Sequence, residues 1–217
     1  MLDSKYDAIL FDKDGTIFDS ERMACDAWMN TAKVFDVPFT LDTYKTFIGV
    51  PTPACFKTAK GLFGDKVCMD DFIAEYRRYM AASKLQGVPI KKGFTDFFNT
   101  LKAANFPVGV VTSSSYDAAM GSFQHTDLLP QLDVLVTLDD VINPKPAADC
   151  YLLACEKLSV APQRVLVFED SSVGIKASLA AGCNTIAIPD LADIEPQLLS
   201  KCLDVLASFD EANKLLK

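Results

Sequence analysis

The sequence predicts an α/β protein: a doubly wound parallel sheet with a small α-helical cap domain inserted after its first strand. Three observations carry this expectation. Five short runs rich in Val, Ile and Leu recur along the chain, and continuous apolar runs suit strands buried on both faces of a parallel sheet. Helix-period segments separate them, as crossover connections require. Residues 20–88 alone break the alternation, with helical signals and no strand.

Tyr6–Phe11 (YDAILF) reads as the first strand. In the stretch that follows, Ala24, Ala27, Trp28, Thr31 and Phe35 mark one amphipathic helix, and Phe72, Ile73, Tyr76, Tyr79 and Met80 another. Pro51, Pro53, Gly61, Gly64 and Gly87 punctuate the pieces. About 65 to 70 residues are too many for a loop in a compact domain. The expected organisation is therefore a core of residues 1–19 and 89–217, and a cap of residues 20–88. Linkers are expected near Asp19–Ser20 and Gly87–Lys92. Phe94, Phe97, Phe98 and Leu101 then form one helical stripe. Pro107–Val111, Asp133–Leu138, Arg164–Phe168 and Asn184–Ile188 supply the remaining strands, and Gly182 stops a helix containing Ala177, Leu179 and Ala180.

Composition narrows the function classes. Half of the 217 residues are apolar and the formal charge is −8, so a nucleic-acid backbone is not an expected partner. Residues 20–88 carry nine Lys or Arg against eight Asp or Glu, which leaves the acidic excess in the sheet part. No apolar run approaches the roughly 20 residues of a membrane helix, and Lys5, Asp7 and Asp12 interrupt any signal-peptide pattern. A cytoplasmic protein without a membrane partner, monomeric or weakly dimeric, is expected. The seven cysteines are scattered, with no Cys-x-x-Cys pair; they read as small buried hydrophobes rather than a disulfide or zinc framework. The single histidine, His125, reads as a surface residue.

The strongest local signal is Asp12-Lys13-Asp14-Gly15-Thr16, directly after the first strand. A turn explains Asp and Gly there, but not two carboxylates on alternate positions. Three other strand ends add Thr112-Ser113-Ser114-Ser115, Asn143-Pro144-Lys145-Pro146 and Glu169-Asp170-Ser171-Ser172. Sites in open α/β sheets lie at the carboxyl ends of strands, so carboxylates, hydroxyls and an ammonium are expected along one sheet edge. They suit phosphoryl transfer through an aspartyl-phosphate. Asp12 attacks phosphorus once charge repulsion is neutralised, and Asp14 moves protons to the leaving oxygen and from the attacking water. Asp12, Asp14 and Asp170 offer the oxygen ligands that Mg²⁺ prefers, while Thr112, Ser113 and Lys145 bind the phosphoryl oxygens.

DKDGT, the hydroxyl of VGVVT, the lysine of NPKPAADCY and EDSSVGIKAS together resemble the four motifs of the haloacid dehalogenase (HAD) superfamily. The helical insertion resembles its C1-type cap. The resemblance implies Asp12 as nucleophile, Asp14 as general acid/base, Thr112 and Lys145 as phosphate ligands, and Asp170 as a metal ligand. Glu169 is similar to a second acidic residue that supports the metal directly or through water. Dehalogenase members lack the second aspartate, so Asp14 favours phosphate chemistry. The β-phosphoglucomutase-like relatives carry a cap histidine and two cap cations. Ala24, Ile48 and Thr52 stand at those positions here. The resemblance thus implies a Mg²⁺-dependent phosphatase of small phosphomonoesters over a sugar phosphomutase. The apolar or small residues of Ile48–Thr52 offer little charge to grip a second phosphate, so one phosphate on a small polar body, a sugar or polyol phosphate, is the expected substrate. A receiver-like signalling module, the non-enzyme alternative, is much shorter and has no cap. Lys13 stands where the family commonly has an apolar residue, and the sequence leaves open whether it faces solvent.

Overall fold

The computed structural model describes residues 5–48, 50 and 52–216. The chain divides into two compact units, Met1–Asp19 with Pro89–Lys217, and Ser20–Val88. In chain order, β1 (Ala8–Phe11) is followed by helices α1 (Ser20–Val34), α2 (Leu41–Lys45), α3 (Thr52–Phe63) and α4 (Met69–Leu85). Then come α5 (Phe94–Ala103), β2 (Val108–Val111), α6 (Tyr116–Phe123) and β3 (Val134–Val136). The chain continues through α7 (Asp149–Leu158), β4 (Val165–Glu169), α8 (Ser172–Ala180), β5 (Asn184–Ala187), α9 (Pro196–Leu199), β6 (Asp204–Val205) and α10 (Phe209–Ala212).

The six strands form one sheet in the order β3-β2-β1-β4-β5-β6, and every pair is parallel. Side chains alternate across a strand, and both faces of the central strands are covered. Ala8 and Leu10 of β1, with Val165 and Val167 of β4, pack with Tyr151, Ala154 and Cys155 of α7. The opposite face carries Phe11 of β1 and Phe168 of β4, whose rings lie 5.4 Å apart. Phe94, Phe97 and Phe209 close around them, 5.2, 6.2 and 5.9 Å from Phe11. Continuous apolar strands follow directly from this two-sided burial.

Two details depart from the sequence expectation. The third strand stops at Val136, because the Thr137 amide and hydroxyl both donate to the Asp140 carboxylate, each at 2.8 Å, and start a short 3-10 turn. A sixth strand, β6, adds to the sheet edge; two exposed residues are too few to leave a pattern. Gly182 has a positive φ of 84°, the conformation that ends a helix.

The second unit is helical. Trp28 of α1 stands among the rings of Phe39, Phe47, Phe56, Phe72 and Tyr76, at 5.0–5.5 Å. Its buried polar groups are satisfied locally: Thr31 donates to the Ala27 carbonyl at 2.7 Å, and Tyr44 to Glu21 at 2.8 Å. Gly64 and Gly87 have positive φ at turns, whereas Gly61, read as punctuation, lies inside α3. Pro51, and Gly49 of the same loop, lie outside the described residues. Among the described residues no helix is long and apolar enough to cross a membrane.

The two connecting segments run side by side within the sheet unit. Phe18 pairs antiparallel with Ile90, Asp19 donates its amide to Pro89 at 2.8 Å, and Lys91 donates its own to Ile17 at 2.8 Å.

Candidate active site

Asp12 is the first residue beyond β1, and its amide still donates to Phe168 on β4 at 3.0 Å. The chain then folds into a tight loop, with the amides of Ile17 and Phe18 both donating to the Lys13 carbonyl. Gly15 makes this loop possible for two reasons. Its φ is +83°, which disfavours L side chains, and a Cβ there would overlap the Asp170 carboxylate. Thr16 is fully buried and donates to Asp170 Oδ1 at 3.2 Å. The loop after β1 is thereby clamped to the loop after β4, neighbouring strands at which the strand order reverses.

Glu169 ends β4 and Asp170 follows it, both buried. Glu169 accepts from Lys145 Nζ at 2.7 Å, from the Tyr151 hydroxyl at 2.6 Å and from Ser171 at 3.2 Å. Gly174 in the first turn of α8 makes room for it, since a Cβ there would overlap the same carboxylate. Lys145 reaches in from the segment before α7, across a cis bond to Pro146. Its ammonium donates to Asp12 Oδ1 at 2.7 Å, to Glu169, and to the Val111 carbonyl at 3.0 Å. Its side chain is only 4% exposed, so this loop lysine is not solvated.

Carboxylate oxygens of Asp12, Glu169 and Asp170 lie within 4.8 Å of one another. Burial drives the Asp12 carboxyl up to about 7; Lys145 opposes that, and Glu169 and Asp14 add to it. Asp170 is also raised, first by burial and then by Asp12 and Glu169. For Lys145 burial disfavours the charge, but the Asp12 and Glu169 carboxylates outweigh it and its pKa rises. Three buried carboxylates face one ammonium, an excess of negative charge that a buried site tolerates poorly. Glu169 has its donors, whereas Asp170 has only the Thr16 hydroxyl among the described residues. An all-oxygen, electron-rich donor set of this kind fits a hard divalent cation.

The other expected residues lie nearby with distinct roles in the bonding. Asp14 is not part of the three-carboxylate cluster. Its Oδ1 accepts from Lys13 at 2.7 Å and its Oδ2 from Ser114 at 2.8 Å. Thr112 is buried beyond the end of β2; its amide donates to Val136, and its hydroxyl accepts from the Ser114 amide at 3.0 Å. Ser113 is exposed. Sequence reasoning passed over Tyr151, Ser114 and the burial of Lys13. The hydroxyl run after β2 signalled Ser114 without distinguishing it from its neighbours, and the six-residue spacing from Lys145 to Tyr151 carried no cue.

The model of the haloacid dehalogenase-like hydrolases matches residues 9–188. The chain belongs to that family. It is 32% identical over 190 residues to the validoxylamine A 7'-phosphate phosphatase of Streptomyces hygroscopicus subsp. limoneus, covering 88% of this chain and 89% of that one. Identity is 29% to the phosphorylated carbohydrates phosphatase of Thermotoga maritima, over 83% of each. A solved β-phosphoglucomutase candidate from Thermotoga maritima superposes with a TM-score of 0.82 at 25% identity, covering 97% and 98% of the two chains. This HAD-family enzyme falls in the branch that holds β-phosphoglucomutase-like and phosphatase members, and it is a HAD-like phosphatase.

Proposed function

We propose that this HAD-family enzyme hydrolyses small phosphomonoesters, of the sugar or polyol phosphate kind, through an aspartyl-phosphate on Asp12 with Mg²⁺ as cofactor. The observation that carries the reading is the buried Asp12, Glu169 and Asp170 cluster with Lys145 bonded to Asp12. Asp12 and Asp170 would hold the cation, with Glu169 behind them. When bound, Mg²⁺ neutralises the repulsion between the Asp12 carboxylate and the phosphoryl oxygens.

Lys145 holds Asp12 Oδ1, which leaves Oδ2 to attack. The Asp12–phosphorus bond forms while the ester P–O bond breaks, and its electron pair goes to the leaving oxygen with a proton from Asp14. Asp14 then takes a proton from water as the water oxygen attacks phosphorus, and the electrons of the broken Asp12–phosphorus bond return to the carboxylate. Thr112 and Ser113 bind phosphoryl oxygens through these steps, and Lys145 acts on the phosphoryl group as a point charge. Hydrolysis rather than mutase chemistry is supported by Ala24, Ile48 and Thr52, which bring neither imidazole nor cation at the cap positions.

A phosphate-release screen over sugar and polyol monophosphates tests the proposal. Release should require Mg²⁺ and stop on chelation, and D12N should lose about 10³-fold or more. D12N as active as wild type, or activity undiminished by the chelator, would overturn it. Sugar bisphosphates hydrolysed ten times faster than monophosphates would overturn the substrate class.

A further inference from the structure

Lys145 spends every hydrogen of its ammonium on the protein. Three are on offer, and Nζ donates to Asp12 Oδ1 at 2.7 Å, to Glu169 Oε1 at 2.7 Å and to the Val111 carbonyl at 3.0 Å. Val111 ends β2, Asp12 follows β1 and Glu169 ends β4, so one side chain ties three neighbouring strand ends together. Lys145 therefore stays on Asp12 Oδ1 only while its other two acceptors keep their places.

The Val111 carbonyl is held by the backbone, but the Glu169 carboxylate turns about a broad last torsion unless it is blocked. Two contacts block it. Gly174 faces it so closely that a Cβ there would overlap it. Tyr151 meets it with a hydroxyl. This tyrosine is fully buried on α7, in an apolar cluster with Ala8, Leu10 and Val167. Phenylalanine would fill the same space without a polar atom to desolvate. The hydroxyl has a single partner among the described residues: it donates to Glu169 Oε1 at 2.6 Å, the same oxygen that Lys145 uses. A carboxylate oxygen has two lone pairs, so Tyr151 takes one and leaves the other to Lys145. The Tyr151 ring bounds the ammonium as well, its centre 5.0 Å from Nζ.

We propose that Tyr151 is a positioning residue for the nucleophile: by occupying one lone pair of Glu169 Oε1 it fixes the direction from which Lys145 bonds, and so seats Lys145 on Asp12 Oδ1 with Oδ2 presented to phosphorus. The inference rests on the phosphatase reading above. No proton passes through Tyr151. Without its hydroxyl, Oε1 regains a free lone pair inside a buried site. The carboxylate then turns, and the ammonium follows it away from Asp12.

The test measures Y151F on p-nitrophenyl phosphate and on glycerol phosphate over a range of Mg²⁺ concentrations. This variant keeps the ring and its contact with the ammonium, and removes the hydroxyl alone. The readout is the single-turnover rate constant for alcohol release with enzyme in saturating excess. It covers only the steps up to formation of the Asp12–phosphorus bond, and a smaller folded fraction does not lower it. A misplacement of about 1 Å can cost about 10²-fold, so Y151F should slow this step about 10- to 100-fold on both esters. C155A, on the same helix and in the same apolar cluster, loosens the packing without touching the hydroxyl and should stay within about threefold of wild type. S171A frees the other Glu169 oxygen, bonded at 3.2 Å. It should slow the same step by less, and it carries the test if Y151F does not fold. An unchanged rate constant in Y151F, or in S171A where Y151F does not fold, would overturn the role of Tyr151. So would a loss in C155A as large as that in Y151F, or a loss that added Mg²⁺ restores. A wild-type enzyme that hydrolyses neither ester would overturn the phosphatase reading itself.

Discussion

The sheet unit and the helical unit bury different kinds of matter. Among the described residues, the buried charged residues Asp12, Lys13, Glu169 and Asp170 all belong to the sheet unit, as do the buried side chains of Lys145 and Asp190. Among its described residues the helical unit buries one small polar residue, Thr31, and otherwise aromatic, aliphatic and cysteine side chains. Buried charge is expensive and is retained where it has a task; aromatic packing is cheap stability. Substitutions in the helical unit should therefore act on folding, and those at the sheet edge on chemistry first.

The largest effect that would test this contrast is in the helical unit. Phe72 is fully buried against Trp28, Phe35 and Phe63. F72A should cost about 3–5 kcal/mol. Trp28 is the only tryptophan, so its emission reports on that unit alone. In a denaturant titration of F72A the emission midpoint should fall ahead of the far-UV circular dichroism midpoint, a departure from two-state behaviour. Coincident midpoints would mean that the two units fold as one and that the contrast is not energetic.

A middle-sized effect sharpens the other side. G174A pushes a methyl group onto the Glu169 carboxylate, an overpacking expected to cost about 1–3 kcal/mol. The order of the two probes should then reverse, with circular dichroism moving first, and phosphate release should fall more steeply than stability. Unchanged activity would detach Glu169 from the chemistry.

The smallest effect lies at the surface of the sheet unit. The Asp140 carboxyl is held below its ordinary value by the Thr137 amide, with burial opposing, and then by the Thr137 hydroxyl and Lys157. Because the folded pKa is depressed, this contribution is present above the unfolded value and lost as pH falls through the folded one. Asp140 is about one-third exposed, so solvent screens it. D140N should cost at most about 1 kcal/mol at neutral pH, and the gap to wild type should close below about pH 4. A gap that persists in acid would assign the cost to shape rather than to charge.

Legibility divided along the same line. The strands were readable because two-sided burial writes continuous apolar runs, and the strand-end polar residues were readable because a parallel sheet puts its site there. Asp12 and Asp170 announce themselves in this way and meet in one cluster. Asp14, equally conspicuous, turns its carboxylate to Lys13 and Ser114 instead. Side-chain direction within a five-residue loop depends on the Gly15 φ and on which donors arrive from β2 and α6, and neither is local information. Tyr151 escaped for a related reason, since only the packing of α7 on the sheet brings its hydroxyl to Glu169.

By itself, the sequence determined the layer architecture and the residue types available at the sheet edge, since apolar periodicity and turn chemistry are local properties of the chain. Whether a given charged side chain is solvated or buried, and which partner neutralises it, was decided only by tertiary structure. Lys13 and Lys145 are both lysines in polar loops, and nothing local distinguishes them from solvated ones. They are buried because strands distant in sequence close around them, and burial turns an ordinary ammonium into a fixed electrostatic partner of Asp14 and Asp12.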